Sequence, residues 1–210
     1  MLEARNISKS FDGMIVLNDF SIAIEKGSIT SLIGRSGSGK STVANLLAMH
    51  LHPDKGSILL DGLSIDSLKG KDRKRAMRKI QLIFQNPLSS FDPKWSLRRS
   101  VMEAAANKEE GEQLFAHFVK ILNLEHIDFE SKSSSVSGGE IQRIAILRAL
   151  VSKPDVIIAD EITSSLDAIN RKIVLDMLLR IKDENRAILF ITHDEDAAAY
   201  ISDKVIEMEG

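Results

Sequence analysis

The chain has 210 residues, enough for one well-cored domain, with hydrophobic (43%) and charged (28%) fractions ordinary for a globular protein. Its 28 Lys and Arg against 30 Asp and Glu leave a net charge of −2, so no overall basic field marks a nucleic-acid or membrane-surface binder. The absence of cysteine excludes disulfides and thiolate metal sites and fits a reducing cytosol.

The opening MLEARNISKSF lacks the basic-then-apolar run of a secretory signal, and no apolar run approaches the ~20 residues of a membrane span. Any membrane role is therefore expected to run through a partner. In chain order, LEARNIS, FSIAIE and ITSLIG predict short strands, KSTVANLLAM a helix and GSILLDG another strand. The run KGKDRKRAMRK (Lys69 to Lys79) holds seven bases and one acid. Without interleaved aromatics for stacking, it reads as a solvated helix leading into the next strand and not as a nucleic-acid patch. KIQLIF is apolar enough for a buried parallel strand.

Beyond Gln85 the character changes. NPLSSFDPKW is a loop, and Leu97 to Leu124 is predicted helical, with Leu114, Phe115, Phe118, Val119, Ile121 and Leu122 on one side. ESKSSS is a polar linker. DVIIAD, a helix through Ile173 to Ile181, AILFIT, a short helix and KVIEME then alternate as strand and helix, which predicts an α/β parallel sheet. The expected organisation is a single domain over 1–210. Its α/β core is built from 1–84 and 151–210, and a helical insertion covers 85–150.

The strongest chemical signal is GRSGSGKS, Gly34 to Ser41, which fits G-x-x-x-x-G-K-[ST] between an apolar strand and a helix. Glycine backbones let successive N–H groups converge on phosphate oxygens, and the helix start adds partial positive charge. Lys40 is placed to neutralise β- and γ-phosphates and Ser41 to ligate Mg2+. VIIADE ends an apolar strand in Asp160, suited to Mg2+ or its water, and Glu161, suited to orient or deprotonate an attacking water. Alone, two such acids are equally a cap or solvated groups. His193 after LFIT and Gln85 after QLIF sit at strand carboxyl ends, where open α/β sheets bind ligands. SVSGGEIQRIAILRAL sets a second glycine turn before a helix. Ser137-x-x-Glu140 is a capping box, yet capping leaves exposed N–H groups free for an anion.

Taken together, GRSGSGKST, Gln85, VSGGE, VIIADE, SSLD and His193 resemble ATP-binding-cassette (ABC) ATPases over essentially the whole chain. The resemblance implies a P-loop NTPase (RecA-like) core with an antiparallel β subdomain and an inserted α-helical subdomain. It implies ATP and Mg2+ as cofactors. Gly34, Ser36, Gly37, Ser38, Gly39, Lys40, Ser41 and Thr42 are implied as phosphate-loop contacts, and Ser41, Gln85 and Asp160 as the metal set. Phe11 matches the aromatic that stacks on adenine, with a core or strand-end phenylalanine as the competing reading. Glu161, His193, Lys40 and Gln85 match the catalytic group, and Asp167 the acid that communicates across a dimer. In such proteins two cassettes pack head to tail, so Ser137, Gly138 and Gly139 are implied to serve the partner's ATP. Val136 and Glu140 stand where Leu and Gln are usual, and the Glu140 charge calls for an offsetting cation. Most relatives also continue beyond VIEMEG into a further strand and helix.

The Gln85 segment IQLIFQNPLSSFDPKWSLRRSV and DEITSSLDAI resemble the ATPases of peptide, nickel and opine (metal-chelate) importers. That implies an ATP-hydrolysing importer subunit at the cytoplasmic face of the membrane. Its partners are integral membrane permease subunits, a second ABC ATPase (a copy or a different chain) and, indirectly, an extracellular or periplasmic solute-binding protein. No nucleic acid is expected. A soluble ABC-type ATPase acting on ribosomes or DNA is the alternative, and a subunit that binds but scarcely hydrolyses ATP is a third reading.

Overall fold

The computed structural model describes residues 1–182 and 185–208. Glu209, the last residue of the expected KVIEME strand, lies outside them. The chain opens with a hairpin. Strands β1 (Leu2–Phe11) and β2 (Met14–Ile24) pair antiparallel until Phe11 faces Met14. Asp12 and Gly13 close it with φ of 49° and 81°, the left-handed pair that a two-residue turn between twisted strands requires. The hairpin is longer than the segments LEARNIS and FSIAIE suggest, because Met14 and Ile15 are exposed and supply no buried alternation. On the other side of β1, β4 (Lys55–Leu60) pairs antiparallel and β5 (Leu63–Ser64) folds back on it. The sheet order is β2-β1-β4-β5.

The second sheet is parallel. It comprises β3 (Ile29–Gly34), β6 (Ile80–Ile83), β7 (Val156–Asp160), β8 (Ala187–Thr192) and β9 (Lys204–Met208), ordered β6-β7-β8-β3-β9. Helix α1 (Lys40–Leu47) follows β3, and the basic run forms α2 (Gly70–Lys79) ahead of β6. After β6 come α3 (Leu97–Met102), α4 (Lys108–Ile121) and α5 (Gly138–Val151). Then α6 (Ala168–Lys182) separates β7 from β8, and α7 (Glu195–Ile201) separates β8 from β9.

Strand periodicity divides the interior. Ile157, Ala159, Ile188 and Phe190 join an apolar cluster with α3, α4, α5 and α6, whereas Val156, Ile158, Leu189 and Ile191 join one with α1 and the antiparallel sheet. Alternate residues of one strand thus bury on opposite faces, as a parallel sheet covered on both sides demands.

The expected continuous helix from Leu97 to Leu124 is broken. Residues 103–107 leave the helix and turn, and Asn107 restarts it by accepting hydrogen bonds from the Glu109 and Glu110 amides (2.9 and 3.2 Å). Gly111 makes room for the returning turn. A Cβ there would lie 2.6 Å from that of Ala105. Three consecutive alanines favour helix locally, so the break comes from this cap and this contact.

Phe118 is 0% exposed in the centre of the helical layer, with the Arg186 guanidinium over its ring at 5.2 Å. We expect Phe118→Ala to cost about 3–5 kcal/mol, a large share of a typical domain's stability, and to lower the urea midpoint markedly. Ile169→Ala, at a side chain 75% exposed, should leave that midpoint almost unmoved.

Candidate functional site

Parallel strands share one carboxyl edge, and the register makes that edge level. Ile33 of β3 pairs with Thr192 of β8, Asp160 of β7 with Ile191, and Ile83 of β6 with Ala159. The residues that follow these ends therefore converge. Ser36, Gly37, Gly39, Lys40, Ser41, Thr42, Gln85, Glu161 and His193 line one cavity of about 560 Å3, joined by Val16 from β2.

The loop after β3 wraps the start of α1. Gly39 at the helix cap has φ 96°, and a Cβ there would meet Leu17 and Val16 at 3.1 to 3.3 Å. No capping side chain occupies this helix start, so the first-turn amides stay available for phosphate oxygens. The Lys40 ammonium is buried and donates to the carbonyls of Gly34 and Arg35 at 2.7 and 2.8 Å, lying across the loop it would serve. Ser38 sits behind the loop with its hydroxyl buried and unpartnered.

Asp160 ends β7 almost fully buried, and burial pushes its carboxyl pKa up. The Ser41 hydroxyl pulls it down, the Glu161 charge adds to the rise, and Lys40 opposes it. Its Oδ1 is buried without a hydrogen-bond partner. A buried carboxylate oxygen left unsatisfied beside a serine hydroxyl suits a hard, oxygen-seeking cation such as Mg2+. Among the described residues, no cluster of three or more His, Cys, Asp or Glu can hold a metal. A cation here would therefore draw its other ligands from phosphates and water, the usual habit of Mg2+.

Glu161 takes φ 53°, a left-handed conformation that costs a non-glycine residue of order 1–3 kcal/mol. Two contacts hold it there. Its amide donates to the Ile191 carbonyl at 2.9 Å, and its carboxylate meets His193 Nδ1 at 2.9 Å. The strain turns the carboxylate out of the sheet towards the histidine, whose ring is largely exposed to the cavity. Gln85 Nε2 donates to Ser164 Oγ at 3.2 Å, and that hydroxyl donates to the Glu161 carbonyl at 2.9 Å. A chain of hydrogen bonds thus runs from the β6 loop to the Glu161 backbone.

Phe11 stands at the end of β1, 41% exposed with Lys9 over its ring at 5.5 Å, outside the cavity lining. Ser137, Gly138 and Gly139 also lie outside that lining. They form the start of α5, where the predicted capping box is complete. Ser137 Oγ accepts from the Glu140 amide, and the Glu140 carboxylate accepts from the Ser137 amide at 2.7 Å. Gly139 is pressed against Asn170, where a Cβ would lie 2.5 Å from Oδ1, and Asp167 holds that Asn170 side chain at 2.7 Å. At Gly138 a Cβ would meet nothing within 4 Å.

The sequence gives no individual role to Val16, Asn170 or His126, and within SSLD it points to Asp167 and not to Ser164. Ser164 is the first residue of the SSLD motif, and Asn170 follows that motif closely enough to be suspected. Val16 and His126 carry no local signal. His126 Nε2 lies 3.0 Å from Glu140 and is the cation that Glu140 calls for when its ring is protonated.

The ABC transporter family model matches residues 17–164. Among curated proteins, the methionine import ATP-binding protein MetN 1 of Listeria innocua is 36% identical over 100% of this chain and 64% of its own length. The glycine betaine/carnitine transport ATP-binding protein GbuA of Listeria monocytogenes is 36% identical over 97% of this chain and 52% of its own. The chain thus spans less than two thirds of these relatives. Among solved structures, a dimeric ATP-binding cassette in a post-hydrolysis state bound to ADP and Pi superposes with TM-score 0.87 at 26% identity, covering 100% of this chain and 94% of that one. The cbiO1 protein of Clostridium perfringens, part of the transporter complex cbiONQ, gives 0.89 at 27%, covering 99% and 84%. This chain belongs to the ABC transporter family and carries the P-loop NTPase fold of its ATP-binding cassettes.

Proposed function

We propose that the chain is the ATP-hydrolysing subunit of an ABC importer, energising uptake of a small solute through partner membrane subunits. The observation that carries this reading is the convergence of Lys40, Ser41, Gln85, Glu161 and His193 on one cavity at the parallel strand ends. No helix among the described residues is long and apolar enough to cross a membrane, so in this reading the chain acts from the cytoplasmic face against permease subunits.

The chemistry is transfer of the γ-phosphoryl group to water by positioning and electrostatics. Lys40 and the amides of the Gly34–Thr42 loop hold the phosphates. Mg2+, ligated by Ser41 and Asp160 with Gln85 alongside, would neutralise charge on the β- and γ-oxygens when bound. Glu161 orients the attacking water and accepts its proton, and the His193 contact keeps the carboxylate aimed. His193 also offers its exposed ring edge to the γ-phosphate. Phe11 stacks on adenine, with Val16 completing the apolar wall.

Supporting a head-to-tail dimer is the placement of Ser137, Gly138 and Gly139 away from the chain's own cavity. Gly138 has open space around it, so the chain's own packing does not call for glycine there. A closely approaching external group does. The structural neighbour bound to ADP and Pi is itself dimeric. The nickel, metal-chelate or peptide reading rests on the Gln85 segment and DEITSSLDAI, and the relatives named above are methionine and betaine/carnitine proteins.

Glu161→Gln should bind Mg-ATP as the parent does but release phosphate about 10²–10⁴-fold more slowly; undiminished turnover would remove Glu161 from its role. Purification from native membranes in mild detergent should recover multi-span proteins and a second cassette ATPase, whereas recovery only with ribosomes or DNA would promote the soluble alternative. The Glu140 carboxyl is held down at about 2 by the Ser137 amide, then by His126 and the Ser137 hydroxyl. Its stabilising contribution is thus complete above its ordinary value of 4.5 and is lost as pH falls towards 2. Glu140→Gln should lower the urea midpoint at neutral pH, and the gap to the parent should close as the pH drops through that window.

A further inference from the structure

The basic helix α2 is not used by the nucleotide site. Its inward face is anchored by Ala76, by Met77 against the antiparallel-sheet cluster, and by Arg73, which donates to the Met49 carbonyl. Lys71, Lys74, Arg75 and Arg78 fall at i, i+3, i+4 and i+7, so they share the opposite face. All four are exposed, and none makes an ion pair among the described residues. Like charges at these spacings oppose helix formation, and the chain's own packing offers nothing in compensation.

This exposed face is concave. It forms one wall of a cavity of about 630 Å3, separate from the nucleotide cavity, whose far wall comes from Ala106 and Glu110 at the start of α4 and from Ser152 and Lys153 after α5. The two other cations on its lining are balanced. Lys79 pairs with Asp155 at 2.7 Å and Lys153 with Glu110. Four uncompensated cations therefore face a concavity of the size that holds small ligands.

We infer that this cavity binds a small, soluble anion carrying several phosphate groups, through Lys71, Lys74, Arg75 and Arg78. Two arginines supply forked donors and two lysines point charges, a donor set matched to clustered phosphate oxygens. A soluble ligand is favoured over a bilayer because the cations line an open concavity with a second wall opposite and do not form a flat face.

The test keeps the Gly34–Thr42 loop saturated with Mg2+ and a non-hydrolysable ATP analogue, so that added polyphosphate reports on the second site only. Inositol hexakisphosphate serves as the soluble probe, and phosphatidylcholine vesicles with and without phosphatidylglycerol as the lipid probe. The inference expects saturable, salt-sensitive binding of the soluble probe, weakened about tenfold or more by Lys74→Glu with Arg78→Glu. Lys94→Glu with Lys204→Glu makes the same change in net charge elsewhere and should have little effect. Unchanged binding of the ATP analogue confirms that both double variants are folded. Equal loss in both variants would mean non-specific charge attraction and overturn the site. Binding to phosphatidylglycerol vesicles without binding of the soluble probe would overturn the soluble ligand. No binding of either probe would overturn both.

Discussion

Four parallel strands lying side by side in register decide where the reactive side chains of this protein end up. Because β6, β7, β8 and β3 run the same way and their ends pair across the sheet with a stagger of one residue, Gln85, Asp160 with Glu161, His193 and the phosphate loop emerge at one edge. Residues more than a hundred positions apart meet because the backbone ladder is level, not because each was steered separately. A one-residue slip in any of these strands would swap its two buried faces as well as move its loop. The alternation of Ile157 and Ala159 against Val156 and Ile158 is therefore what protects the site.

On that edge the protein sets reactivity through small local costs. Glu161 is held in a left-handed conformation by the Ile191 carbonyl and kept aimed by His193. Asp160 is buried with an unsatisfied oxygen, and the Ser38 hydroxyl lies buried and unpartnered behind the loop. Each feature weakens the isolated fold slightly, and each makes sense once phosphates and a cation supply the missing partners. The helical layer serves the same edge from one side. It packs on β6 and β7 and carries the start of α5, where Gly139, Asn170 and Asp167 lock the SGGE turn to the SSLD turn.

The chemistry was legible in the sequence where it depends on fixed local spacing. GRSGSGKS, the acids after DVIIA and the Ser137-x-x-Glu140 cap are each set by a few consecutive residues, and the strand and helix contexts they need are all present. Features set by tertiary contact were not legible. The break at 103–107 depends on Ala105 meeting Gly111, and the apolar wall of the cavity includes Val16, which reads as one more strand residue. The His126–Glu140 pair joins residues on different elements, so the charge that Glu140 brings was visible but its partner was not. The hairpin turn at Asp12-Gly13 is the opposite case. Its Asp-Gly signal is local, but the exposed Met14 and Ile15 beside it carry no buried alternation to mark the strand that follows.

The central claim is that these strand ends form one Mg-ATP site. Its most direct test is a crystal structure of the chain with Mg2+ and a non-hydrolysable ATP analogue. The account predicts phosphates cradled by the Gly34–Thr42 loop, the cation bound to the Ser41 hydroxyl with Asp160 beside it, and the γ-phosphate facing Lys40, Glu161 and His193. Nucleotide bound elsewhere, or phosphates turned away from Glu161 and His193, would contradict it.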